Sequence, residues 1–152
     1  MPLYKYALKG KWEAAEQILN EDPTLLTCSI TRGEDTVLHV AAGARHVHFV
    51  KKLVEMMDKQ DLKLKDINGN TAFSIAAAAG SIEIVDIMMK KNEYLPTIRG
   101  GQGMTPLYMA ALMRQSEMAD YLYSGTKEML DDADRHALFF TCIDNGLYGK
   151  IY

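Results

Sequence analysis

The chain has 152 residues, of which 48% are hydrophobic and 24% charged, with a formal net charge of −3. This composition suits a chain that buries a core and argues against disorder, and the acidic balance disfavours non-specific binding to nucleic acid. Two cysteines, Cys28 and Cys142, do not make a disulfide framework and fit a reducing compartment, no run of about 18 apolar residues is present to span a membrane, and the N-terminus has no apolar signal core.

In chain order, 2–9 predicts a helix stopped at Gly10, and Trp12, Ala15, Ile18 and Leu19 then share one face of a second helix. Leu25 and Leu26, after Asp22-Pro23, are expected to fold back onto it. Lys5, Lys9 and Lys11 keep this first unit wet on its outer side, as an end unit requires. The second unit opens at Thr31-Arg32-Gly33-Glu34-Asp35. Thr36 is placed to cap a helix over 37–44, whose Leu38, Ala41 and Ala42 face neighbours, and Val47, Val50, Leu53 and Val54 line the next helix. Arg45 stands where the third unit has Gly80; a left-handed arginine costs on the order of 1 kcal/mol. An alternating stretch, 61–65, leads onward.

The third unit reads as turn, helix, stop. Asp66-Ile67-Asn68-Gly69 is a tight turn, Thr71 a cap, 72–79 a thin alanine-rich helix and Gly80 its left-handed end. Ile82, Val85, Met88 and Met89 then form one helical face. The fourth unit repeats it, with Pro106 where a first helical turn accepts proline, a helix over 106–113, and Met118, Ala119, Tyr121 and Leu122 on the helix after it. A polar joining segment is expected over 124–135, then a fifth first helix over 137–144 stopped by Asn145-Gly146. Its second helix barely begins in 147–152, which leaves an apolar face uncovered. A fragment, a truncated product and a protein that pairs through this end all fit that reading.

The anchor residues of the five units, Leu3, Leu38, Phe73, Leu107 and Leu138, are separated by 35, 35, 34 and 31 residues. A period in the low thirties, with wording such as Met104-Thr105-Pro106-Leu107-Tyr108-Met109-Ala110-Ala111 and Thr36-Val37-Leu38-His39-Val40-Ala41-Ala42, resembles the ankyrin repeat. The resemblance implies an all-α solenoid of about four complete repeats and a partial C-terminal one, a single domain with units of about 1–30, 31–65, 66–99, 100–130 and 131–152. The phrasing over 61–123, including Leu95-Pro96-Thr97-Ile98-Arg99-Gly100, together with Phe49-Val50-Lys51-Lys52-Leu53-Val54, is similar to the plant ankyrin proteins with a C-terminal membrane domain, the salt-tolerance and accelerated-cell-death group. That likeness implies a cytoplasmic interaction domain in stress or immune signalling, at the cytosolic face of a membrane if the parent chain carries that membrane domain.

No constellation for catalysis emerges, so the expectation is a non-enzyme without cofactor or metal. His39 is expected to bond between neighbouring turns. His46 and His48 lack the spacing and companions of a metal site and read as solvated. Cys142 reads as a small apolar filler, Asp131, Asp132 and Asp134 as a solvated loop, and Gly100-Gly101-Gln102-Gly103 lacks the Gly-Lys-Ser/Thr ending of a phosphate loop. The expected function is protein binding on the concave groove, through Arg32, Asp35, Ile67, Asn70, Gln102, Met104, Leu112, Met113 and Arg135. The alternative is self-association as a homodimer through the incomplete fifth unit.

Overall fold

The computed structural model describes residues 2–144. Helices α1 (Pro2–Lys9), α2 (Trp12–Glu21), α3 (Val37–Gly43), α4 (Val47–Met56), α5 (Ala72–Ala79), α6 (Ile82–Lys91), α7 (Pro106–Leu112), α8 (Ser116–Thr126) and α9 (Asp132–Asp144) follow one another, joined by loops and short 3-10 turns. Among the described residues the β pairing is one isolated bridge, Lys65 with Thr71. The odd-numbered helices pack side by side from α1 to α9, and α2, α4 and α6 form a second layer behind them. Tyr121 of α8 joins that layer by donating to Asp86 of α6 at 3.0 Å. Burial, and then this carboxylate, raise the Tyr121 hydroxyl above its ordinary pKa. Lys90, at 3.0 Å, and Tyr121 lower that of Asp86.

The recurrence explains the stack. All five anchors are buried, and so are Ala41, Ala42, Ala76, Ala77, Ala110 and Ala111, whose small side chains let the inner helices approach closely. Each fully buried Leu or Phe side chain contributes about 1.5–3 kcal/mol. Phe49 and Ile84 join the core although the apolar-face reading passed over them, and Trp12 meets Phe49 edge-on with ring centroids 5.2 Å apart. Thr36, Thr71 and Thr105 accept from the backbone N–H of His39, Ser74 and Tyr108 at 3.4, 3.1 and 3.1 Å. Each such cap stabilises its helix by about 1 kcal/mol.

The stops are left-handed at one register position: Gly10 (φ 74°), Arg45 (φ 64°), Gly80 (φ 77°) and Arg114 (φ 59°). The two arginines therefore hold a conformation that costs about 1 kcal/mol each. The residue after each stop explains where glycine was kept. His46 reaches back over Gly10 to bond the Leu8 carbonyl at 2.8 Å, and a Cβ on Gly10 would stand 2.6 Å from its ring. Gln115 does the same over Gly80, donating to the Ala78 carbonyl at 3.2 Å. Over Arg45 the corresponding residue is Ser81, too short to compete for that space. His46 is thus a contact between units rather than a solvated side chain.

One larger boundary moves. Residues 124–135 are not a loop: α8 continues to Thr126, a 3-10 turn follows over Lys127–Met129, and α9 starts at Asp132, five residues ahead of the expected Ala137. The reason is a reciprocal cap. Asp131 Oδ1 accepts the Asp134 N–H at 2.7 Å, and Asp134 Oδ2 accepts the Asp131 N–H at 3.3 Å. Arg99 then donates to both Asp134 oxygens, at 2.7 and 2.8 Å, and to Asp131 at 3.5 Å. Those acids build a helix start and an ion pair in place of the solvated loop. The helices expected over 37–44 and 106–113 end one residue early, at Gly43 and Leu112. The stop at Asn145-Gly146 and the partial helix over 147–152 lie outside the described residues.

Candidate functional site

The turns between helix pairs are tied to one another. Asp66 Oδ1 accepts from the backbone of Asn68 and Asn70 at 2.9 and 3.0 Å, which closes its turn. The Ile67 N–H donates to the Gly33 carbonyl of the preceding turn at 2.8 Å. Asn70 Oδ1 accepts from the Gly101 N–H of the following turn at 2.9 Å. His39 fixes the same point from the other side: Nδ1 accepts the Thr36 N–H at 3.2 Å, so Nε2 carries the proton and donates to the Asn70 carbonyl at 2.9 Å. The turn tips therefore form a pre-set edge, and little ordering entropy remains to be lost there on binding.

Beside that edge the inner helices present a floor. Counting two and five residues on from each anchor gives Lys5 and Leu8, Val40 and Gly43, Ile75 and Ala78, Met109 and Leu112, Phe140 and Ile143. All lie on the solvent side of their helices, half-buried or exposed. Leu8, Leu112, Phe140 and Ile143 are 47%, 46%, 61% and 44% exposed. A cleft of about 330 Å³ opens where Leu8, Val40, Gly43 and Ile75 meet, with Asp35 at its margin. The floor is narrow-chained at Gly43 and Ala78 and bulky towards α7 and α9.

The expected site residues divide among these surfaces. Arg32, Ile67 and Gln102 are exposed on the tips, Ile67 at 63%. Asp35 is half-buried and accepts from the Thr31 hydroxyl at 2.8 Å. Leu112 and Met113 are exposed together at the end of α7. Met104 is half-buried against a cleft shared with Gln102, Tyr108 and Asp134. Asn70 is committed to both neighbouring turns, so its first role is structural. Arg135 sits on α9, 3.7 Å from Asp132, and lines a separate cleft with Tyr123 and Phe139. The floor residues Leu8, Val40, Ile75 and Met109 were not singled out by sequence, although their fixed offset from the anchors carried the signal.

The remaining chemistry is sparse. Among the described residues no group of three or more His, Cys, Asp or Glu side chains is placed to hold a metal ion. His48 is exposed. Cys142 is buried, and burial pushes its thiol up. Cys28 is exposed. No helix of the described residues is long and apolar enough to cross a membrane.

Residues 3–96 and 38–136, two overlapping stretches, match the family described as ankyrin repeats in three copies. A putative ankyrin repeat protein of Rickettsia felis is 30% identical over 93 residues, 60% of this chain. The matched stretch spans 23% of that relative's length.

Proposed function

The chain belongs to the ankyrin-repeat family, a fold of protein–protein interaction modules, and from that premise we propose that its turn tips and inner-helix floor are the surface on which a partner protein docks. One observation supports this above the others: from α3 onward the same two offsets on successive inner helices carry apolar residues that stay half-buried or exposed, beside an edge already held in place by hydrogen bonds between turns. In this reading the surface acts by contact area rather than by chemistry. Ile67, Leu112 and Met113 are the apolar anchors, with Arg32, Asp35 and Gln102 setting orientation. The wording shared with the plant group over 61–123 extends the proposal to stress or immune signalling, and that extension rests on the wording alone.

The test is Ile67→Glu combined with Met113→Glu, measured against a partner obtained by co-purification. Both side chains are more than half exposed, at 63% and 56%, so the free domain keeps its fold. A bound partner would have to desolvate two carboxylates, at a cost of several kcal/mol. Binding is expected to vanish while circular dichroism is unchanged. Leu107→Glu, at a buried anchor, unfolds its unit and serves as the control. Undiminished binding by the double variant would move the site to the Tyr123–Phe139 cleft at the far end of the stack.

A further inference from the structure

The two edges of the groove carry opposite charge. Along the helix–helix loops, residues 8–11, 43–46, 78–81 and 112–115 contain Lys9, Lys11, Arg45 and Arg114 and no aspartate or glutamate. Along the turn tips of the second and third units, residues 31–35 and 66–70 contain Glu34, Asp35 and Asp66 against Arg32. Farther on, Asp131 and Asp134 are already matched by Arg99. Between the edges lies the apolar floor of Leu8, Val40, Ile75, Met109 and Leu112.

Backbone strain falls on the same edges. Among the described residues, four non-glycine positions have positive φ: Glu34, Arg45, Gln102 and Arg114. Glu34 takes the place that Gly69 and Gly103 hold in the next two units, and Arg45 and Arg114 take the place of Gly10 and Gly80. Glycine would relax all three positions. Instead the acid stands on the acidic edge and both bases on the basic edge, and all three are exposed. At Glu34 and Arg45, strain retained at a surface position points to use of the side chain rather than to packing.

From this pattern we propose that the groove takes an amphipathic α-helical segment of another protein, with its apolar stripe flanked by carboxylates towards the helix–helix loops and by lysines or arginines towards the turn tips. The proposal rests on the groove reading above and adds the partner's chemistry. A helix fits better than an extended strand because the floor is made of helices whose backbone groups are already paired. An extended peptide would find no sheet edge there and would leave its own N–H and C=O groups unmet on an apolar surface. A helix brings them satisfied, with its apolar stripe free to meet Leu8, Ile75 and Leu112.

The probe is an 18-residue labelled peptide with a leucine face, glutamates along one flank and lysines along the other, compared with the same peptide flanked by glutamine. Fluorescence anisotropy with the full chain should show the charged peptide binding more tightly, and the difference shrinking between 50 and 500 mM salt. Arg45→Gly with Arg114→Gly keeps the left-handed stops and removes the charge. It should weaken the charged peptide about tenfold, the sum of two exposed ion pairs. Arg45→Glu with Arg114→Glu should weaken it further. If the glutamine peptide binds equally well and the arginine variants change nothing, the partner chemistry is wrong while the groove stands. If Ile67→Glu with Met113→Glu leaves peptide binding intact, the groove itself is wrong. Failure of the charged peptide to bind overturns the proposal, and so does a dimer in sedimentation that Met113→Glu dissociates, since the occupant would then be a second copy.

Discussion

Replacing Gly80 with alanine tests the way neighbouring units are fitted together. The substitution does two things at once. It forces a side chain into φ 77°, at a cost of about 1 kcal/mol. It also places a Cβ where Gln115 lies, 2.7 Å from Cδ, so the amide must swing away and give up its 3.2 Å bond to the Ala78 carbonyl. That bond is worth about 1 kcal/mol net, and the single change should cost about 2 kcal/mol. In a Gln115→Ser background the space is already vacant, as it is where Ser81 follows Arg45, and the bond is already gone. There Gly80→Ala should cost only the backbone strain, about 1 kcal/mol. Urea denaturation of the four proteins closes a double-mutant cycle with a coupling of about 1 kcal/mol between residues in different units. An equal cost in both backgrounds would refute the argument that the glycine makes room for the glutamine.

Phe73→Ala should destabilise by about 3–5 kcal/mol and Leu138→Ala by less, near the low end of about 2–5 kcal/mol, because Phe73 lies between inner helices on both sides whereas α9 packs on α7; equal shifts in denaturation midpoint would count against this order. Hydrogen bonds from Arg99 hold the Asp134 carboxyl below the usual carboxylate range. The stabilisation from that pair is therefore fully present above the unfolded aspartate value of about 3.9 and is lost as pH falls through the lower folded value. The stability gap between the parent chain and Arg99→Ala should close below about pH 4, and a gap that stays constant from pH 7 to pH 3 would contradict the assignment. A thiol reagent should label Cys28 at once and Cys142 only after unfolding, since Cys28 is exposed and Cys142 buried; two equally fast labels would show that the α9 packing opens readily.

The repeat itself was legible because the anchor residue and the threonine cap recur at a nearly fixed spacing, and a stack of such units has few other ways to bury its apolar faces. The misreading at 124–135 arose where local chemistry departs from that wording. Asp131 and Asp134 occupy the two positions of a reciprocal cap, but three acids in a short stretch looked like a solvated run, and Arg99, which completes the cap, comes from a turn 32 residues before Asp131. His46 was misread for a similar reason. Its partner is the carbonyl of Leu8, 38 residues away, and only Gly10 in the first unit hinted at the space it needs. The turn tips were legible because turns announce themselves by composition. The floor was not, because Val40, Ile75 and Met109 look like core until the register shows which side of each inner helix they occupy.

Asn70 shows how closely binding and stability are joined in such a stack. Its carbonyl is held by His39 of the preceding unit and its side chain by Gly101 of the following one, so one residue carries a bond across each of two successive junctions. Stability in a solenoid is a sum of unit and nearest-neighbour terms, and loss of this side chain weakens the junction to the fourth unit without touching the core of either. The tips that carry Ile67 and Gln102 would then move independently. A groove whose residues lie on separate units binds only while those units keep a fixed spacing, because each anchor that must be repositioned adds to the entropy lost on binding. In the proposed docking surface the hydrogen bonds between turns would therefore count as part of the site, though none of them need touch a partner. The same reasoning separates two kinds of residue within the proposed site: Ile67, Leu112 and Met113 would offer contact area, and Asn70, bonded to both neighbouring turns, would keep that area in register.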